Sequence, residues 1–344
     1  MMPNLPISLV TILAGAALLP AQTPPAVKSF LSEKGQLTAR ELTRLNSGQA
    51  VAKILSSDAA NIYVLGIVYV KASTEAFLKY AADINRLRVL PEYLGLGKIN
   101  PGASVDDLSG FVLEPDDIRE LRKCKPGSCE VQLPGEVIDQ FRKSVDWSRP
   151  DAVAQVNFRT KAMALELIRR YQQGGNRQLG SYADRAKAID IAQHFQALLG
   201  GAPQLGEYLP ELKQYLLDFP AVTLPRSESM FYWERVSFGL KPTLRLNHAV
   251  SYSARGPRGD LDVFAIKQLY ASHYLRVALD LSVCLKDGPG FYLVTLKGSS
   301  QDGLTGFYGS IIRSIITNRT RASQESILSG IKKTLELEAS RPNK

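Results

Sequence analysis

The sequence predicts an α+β fold: an antiparallel curved sheet gripping a long C-terminal helix, with a large helical insertion. Three observations lead there. Four segments rich in β-branched and aromatic residues follow one another at about Leu244–Ala254, Leu261–Tyr274, Arg276–Lys286 and Gly290–Lys297. Their connections, Arg255-Gly256-Pro257-Arg258-Gly259 and Asp287-Gly288-Pro289, are short and carry turn residues, so these strands are antiparallel neighbours. From Gly306 to Leu337 the period then turns helical, with Ile311, Ile312, Ile315, Ile316, Ala322, Ile327, Ile331 and Leu335 on one apolar stripe and Arg313, Arg319, Arg321, Lys332 and Lys333 mainly outside it.

Alternation inside the strands gives the sheet two different faces. In Arg276–Leu285, Val277, Leu279, Leu281, Val283 and Leu285 share one side, while Arg276, Asp280 and Ser282 share the other, which predicts one buried and one wet face. In Leu244–Ala254 the even positions Leu244, Leu246, His248, Val250 and Tyr252 fall together, which sets His248 among apolar neighbours. In the next strand Lys267 and His273 share parity with Val263, Ala265 and Leu269, while Phe264, Ile266, Gln268, Tyr270 and Tyr274 take the other face, and either face suits the inside.

The elements before this core read in order. Thr38–Leu45 suits a short helix, and Ala50–Ser56 and Asn61–Lys71 suit strands joined by a hairpin-like connection. Ser73 or Thr74 caps a helix carrying Ala76, Phe77, Tyr80, Ala81 and Ile84 at helical spacing, and Pro91, Gly95 and Gly97 end the run. From Pro115 to Phe219 the pattern is mostly helical, at Pro115–Arg122, Pro134–Lys143, Pro150–Gln172, Tyr182–Leu199 and Leu205–Leu217, with a short strand at Glu130–Leu133. Met230–Leu240 fits either period. The chain divides accordingly into a signal peptide (1–21), a linker (22–37), the first part of the sheet domain (38–110), a helical insertion or lid (111–225), the second part of the sheet domain (226–338) and a tail (339–344).

Composition narrows the setting. The 344 residues, with 22% charged side chains, are enough for a proper core and too ordinary for a disordered chain. The net charge of +9 is scattered rather than clustered, so a solvated basic surface is expected and no nucleic acid partner; peripheral membrane contact is compatible with that charge. Residues 1–27 carry no charged side chain, and the apolar run Leu5–Leu19 followed by Pro20-Ala21 reads as a bacterial-type export signal cleaved after Ala21, with an uncleaved anchor as the alternative. The expected location is periplasmic or secreted. Cys124 and Cys129 bracket Lys125-Pro126-Gly127-Ser128, whose Pro-Gly reversal brings them within disulfide reach, while Cys284 stays a free thiol on a strand.

Motifs for catalysis do not assemble. There is no G-x-S-x-G elbow, P-loop, Rossmann fingerprint or H-E-x-x-H, so no cofactor and no metal site is expected, and the three histidines are too dispersed to specify one. Ser272, His273 and Asp280 do not make a triad, because adjacent strand residues point to opposite faces.

The run Tyr69-Val70-Lys71-Ala72-Ser73-Thr74-Glu75-Ala76-Phe77, in an order of strand pair, helix, antiparallel strands and long final helix, resembles the START/SRPBCC (helix-grip, birch-pollen-allergen-like) superfamily. The resemblance covers about Ala50–Gly97 and Leu244–Leu337; the helical segment at about 115–219 departs from it. It implies a cavity between sheet and final helix, in a superfamily that holds both carriers and enzymes. Candidate ligand-binding residues are His248, Tyr252, Lys267, His273, Tyr232 and Trp233; a satisfied core histidine is the preferred reading of His248, and Tyr232 and Trp233 suit ordinary packing equally well. The expected function is an exported binder or carrier of an apolar or amphipathic small molecule or lipid. The alternatives are a cyclase/aromatase-like enzyme using pocket His, Lys or Tyr, and an envelope interaction protein with a filled core. Converging His, Lys and Tyr at a solvent-reachable point favours catalysis; a dry cavity with one or two polar groups favours the carrier.

Overall fold

The computed structural model describes residues 37–56, 61–237, 240–255, 260–301 and 307–341, and the side chains of 203, 204 and 307–319 fall outside that description. The expected signal peptide, and the linker up to residue 36, lie outside the described residues.

Helix α1 (Ala39–Asn46) starts at a capping box: the Thr38 hydroxyl accepts from Glu41 N, and the Glu41 carboxylate accepts from Thr38 N at 2.7 Å. Strands β1 (Val51–Ser56) and β2 (Asn61–Val70) pair antiparallel. Ser73 caps α2 (Thr74–Ala82), its hydroxyl accepting from Ala76 N at 3.1 Å. Strand β3 (Tyr93–Ile99) follows, where Pro91 and the glycines predicted a break. Gly97 is required by packing rather than by a turn, since a Cβ there would stand 2.6 Å from the Trp233 indole nitrogen.

The helical segment contains α3 (Pro115–Leu121), α4 (Gly135–Ser144), α5 (Ala152–Gly174), the two-residue strands β4 (Ser181–Tyr182) and β5 (Ile189–Asp190), α6 (Ile191–Gly200), α7 (Pro203–Tyr208) and α8 (Pro210–Asp218). Three expectations are corrected here. The stretch Glu130–Leu133 is irregular, and Gln132 instead donates to Ser272 O, Ala271 O and Leu275 O, tying the segment to the sheet. The helix expected from Tyr182 begins only at Ile191, because Asp190 caps it by accepting from Gln193 N at 2.8 Å. The run Leu205–Leu217 breaks at Pro210, which has no N–H to continue a helix. The expected disulfide joins Cys124 and Cys129, with Cα atoms 4.6 Å apart, and Cys284 is free and buried.

The ambiguous segment resolves as β6 (Ser227–Val236), followed by β7 (Thr243–Ala254), β8 (Leu261–Ala271), β9 (Leu275–Asp287), β10 (Gly290–Gln301) and helix α9 (Phe307–Ala339). These strands form one antiparallel sheet in the order β1-β2-β10-β9-β8-β7-β6-β3. The chain is thus α+β, as predicted.

Both faces of the sheet are covered, which corrects the expectation of a wet side. Val277, Leu279 and Leu281, with Leu244, Leu246, Val250 and Val263, share a core with Phe141, Ile168, Phe195 and Leu212 of the helical segment. The opposite face sends Val68, Val70, Ala249, Phe264, Cys284, Phe291 and Leu293 against Phe77 and Ala81 of α2 and Leu328 and Leu335 of α9. The odd-numbered row of β9, expected under the C-terminal helix, therefore lies under the helical segment. Helix α9 grips the other side.

The buried line on α9 runs through Gln324, Leu328, the partly buried Ile331 and Leu335, whereas Ala322 is exposed and Ile327 is 39% exposed. The expected stripe is rotated; Ile311, Ile312, Ile315 and Ile316 have side chains outside the described residues. Gly66 on β2 sets this docking. A Cβ there would meet Leu328 Cδ1 at 2.7 Å and Gln324 Cγ at 2.9 Å, so the helix settles where the sheet has no side chain. Gln324 Nε2 donates to Thr295 Oγ1 at 2.7 Å beside it, and Lys332 Nζ donates to Tyr69 O at 2.8 Å further along.

Candidate functional site

His248 and Lys267 are direct partners across β7 and β8. The helical segment supplies their surroundings. His248 Nδ1 lies 3.2 Å from the Tyr171 hydroxyl and Nε2 lies 3.4 Å from the Tyr215 hydroxyl, with the ring stacked on Phe231. Lys267 Nζ lies 3.3 Å from the same Tyr171 hydroxyl, donates to Leu216 O at 3.2 Å and to Asn176 Oδ1, and sits 4.2 Å from the Phe195 ring centroid. Burial, and then the Lys267 charge, hold the His248 imidazole down to about 3. Burial likewise pushes the Lys267 amine well below the usual lysine range. His248 is 1% exposed and Lys267 0%. The two side chains and Tyr171 converge in a sealed place between α5, α8 and the sheet.

The other predicted residues do not join them. Tyr252 shares their face but donates to Glu211, and burial together with that carboxylate pushes its hydroxyl up to about 12. Trp233 also lies on that face, edge-on to Phe111, with its indole N–H donated to Asp107 O at 2.7 Å. Tyr232, one residue earlier on β6, necessarily points to the opposite face, against the core shared with α2 and α9. His273 lies beyond the end of β8, where the expected row has already stopped at Ala271. Its Nε2 bonds to Asp117 Oδ2 at 2.9 Å and its Nδ1 to Glu130 O at 3.1 Å, while Lys241 Nζ lies 2.5 Å from Asp117 Oδ1. Burial alone would raise Asp117, but His273 and Lys241 hold its carboxyl below the ordinary value. This cluster latches α3 to the sheet. The six candidates are thus not one site, and His248, Tyr252, Lys267 and Trp233 are not between the sheet and the C-terminal helix.

The face gripped by α2 and α9 holds a different set of polar residues, which the sequence reading assigned to solvent or passed over. Lys297 of β10 pairs with Asp280 of β9 at 2.9 Å. Arg245 of β7 pairs with Glu234 of β6 at 2.6 Å and donates through Nε to Gln268 Oε1 at 3.1 Å. These four charges cross the sheet with alternating sign. Burial would raise Asp280, but Lys297 and Arg245 keep it below the usual carboxylate value. Tyr93 and Tyr232 flank the row, both held above the ordinary phenol range by burial and then by Glu234. The Asp280 and Lys297 side chains remain 29% and 35% exposed, whereas Glu234 and Arg245 are nearly enclosed. One signal could have found this row: Arg245 and Asp280 sit on the parity opposite the apolar row in strands too long and hydrophobic to leave that face bare.

This polar row shares its face of the sheet with an apolar cluster that includes Phe264, Ala249 and Leu293. Among the described residues no cluster of three or more His, Cys, Asp or Glu side chains could hold a metal ion, and no helix is long and apolar enough to cross a membrane. An open groove of about 760 Å³ lies elsewhere, between the α1–β1 turn and α9. Four of its charged groups are paired with one another, Arg44 with Glu325 and Lys332 with Glu336, and Lys333 also lines it.

No protein-family model and no curated protein matches this chain. Among solved structures, the crystal structure of TTHA0849 from Thermus thermophilus aligns at 16% identity with a TM-score of 0.26, covering 40% of this chain and 88% of that one. A likeness of that size carries no argument about fold or function.

Proposed function

We propose that the protein is an exported binding or carrier protein for an apolar or amphipathic small molecule or lipid, held between the sheet and α9. The observation that carries this reading is the row Lys297–Asp280–Arg245–Glu234 on the gripped face. Charges set on an otherwise apolar sheet face are costly to enclose even when paired, and this row remains partly open to solvent at its Asp280 end. A fold that needed only a filled core would be served as well by apolar residues there. The order of elements, similar to the START/SRPBCC superfamily, supports the same reading. Export is supported by the Cys124–Cys129 disulfide, which persists in oxidising compartments, and by the apolar run Leu5–Leu19.

The runner-up is a cyclase/aromatase-like enzyme, favoured by the convergence of His248, Lys267 and Tyr171. Their enclosure counts against it, because a substrate would have to part the helical segment from the sheet.

Native mass spectrometry of protein purified from an exporting host tests the proposal. The expected result is a co-purifying amphipathic molecule whose occupancy falls in Arg245→Met and is unchanged in Lys267→Met. Ligand-free protein in repeated preparations, with no saturable uptake of 1-anilinonaphthalene-8-sulfonate, would reject it; uptake lost in Lys267→Met alone would favour the enzyme.

A further inference from the structure

Asn247 lies on β7 between Arg245 and Ala249, and so on the gripped face, opposite Tyr232 on β6 and Gln268 on β8. It is 1% exposed, and among the described residues neither its amide oxygen nor its amide nitrogen has a hydrogen-bond partner. Its polar neighbours are engaged: Arg245 with Glu234 and Gln268, and Gln268 through Nε2 with Leu275 O. Buried polar groups are ordinarily bonded, and an unmet amide is a large penalty for a position where an apolar residue would pack.

From this we infer that Asn247 reads the headgroup of the bound molecule, and that the headgroup is a neutral primary amide or lactam. The inference rests on the proposal that a ligand lies between the sheet and α9. A carboxamide side chain presents an acceptor and a donor side by side, and the group that meets both at once presents a donor and an acceptor in the reverse order. Amides and lactams do so; esters have no donor and ionised carboxylates only accept. The adjoining row also opposes a charged headgroup. Arg245 and Lys297 are balanced by Glu234 and Asp280, so within this row, among the described residues, each charge already has its counterion.

The test is displacement of 1-anilinonaphthalene-8-sulfonate by three C18 probes, oleamide, methyl oleate and oleate, on the full chain below their aggregation limits. The expected result is that oleamide competes about tenfold or more better than methyl oleate or oleate, because the ester and the anion leave part of the Asn247 amide unmet. In Asn247→Leu the preference should vanish, and Asn247→Asp, which keeps the shape but loses the donor, should lose it too. Thermal unfolding of both variants verifies the fold. Equal competition by oleamide and methyl oleate on the native protein overturns the headgroup inference, with a buried water serving the amide, and leaves the carrier reading standing. Failure of all three probes to displace the dye overturns both.

Discussion

His248 and Lys267 face each other across β7 and β8 and share one Tyr171 hydroxyl, at 3.2 and 3.3 Å. Two groups that are usually protonated below neutral pH are thereby enclosed where neither is easily charged. The pH dependence of stability follows from that enclosure.

The His248 imidazole is held at about 3 against an ordinary 6.5. The unfolded chain therefore binds one more proton than the folded chain between those values. The contribution of this site is intact above pH 6.5 and is lost progressively as pH falls toward 3, to a total on the order of 5 kcal/mol. Urea midpoints of the native protein should fall over that window, and His248→Gln should flatten the fall. A parallel fall in the variant would show that other groups carry it.

For Lys267 the folded state also holds the amine below its ordinary value, so stability should rise with pH toward the ordinary lysine range. Lys267→Met replaces the amine with an apolar chain of similar length. It should remove that rise and leave the protein as stable at neutral pH or more stable, by about 1 kcal/mol or more. Denaturant titrations at pH 7 and pH 9.5 check both parts.

Asp117 accepts from His273 and pairs with Lys241 in a buried cluster, so Asp117→Ala leaves two cationic or donor groups unmet. A loss of about 3 kcal/mol is expected. Hydrogen exchange should localise the opening to α3 and the β8–β9 turn rather than to α9.

Gly66→Val places side-chain atoms where Leu328 and Gln324 already lie. A destabilisation of about 1–3 kcal/mol is expected, with α9 amides exchanging faster than those of α5. Equal exchange in the two helices would mean that α9 is held elsewhere.

Cys124 and Cys129 should resist alkylation until reductant is added. Replacing both by Ala should lower stability by about 2 kcal/mol, as for a short closed loop. Ready labelling of both in oxidising buffer would reject the bond.

Much of this was legible in the residues themselves. Alternation sorted the side chains of β7 and β9 into rows, and those of β8 as far as Lys267, beyond which a register shift brings Tyr270 to the same core as Leu269. The Pro-Gly reversal brought two cysteines together, and the period change after Gly306 marked the final helix. Strand β3 was hidden because Gly95 and Gly97 punctuate a sequence but here make room for Trp233, a residue well over a hundred positions away. The Glu234–Arg245 pair was hidden because isolated charges in strands read as solvated until both faces are known to be covered.

By itself, then, the sequence determined the strands, their pairing sense and the two rows on each, because a period of two is a local property of an extended backbone. Only the tertiary structure decided which layer covers which row. The helical segment took the face bearing His248 and Lys267, and α9 took the face bearing Glu234, Arg245 and Asn247. The reason is physical: alternation labels two sides without naming them, and the choice rests on non-local fit, such as Gly66 opening a seat for Leu328 that no window of neighbouring residues reveals.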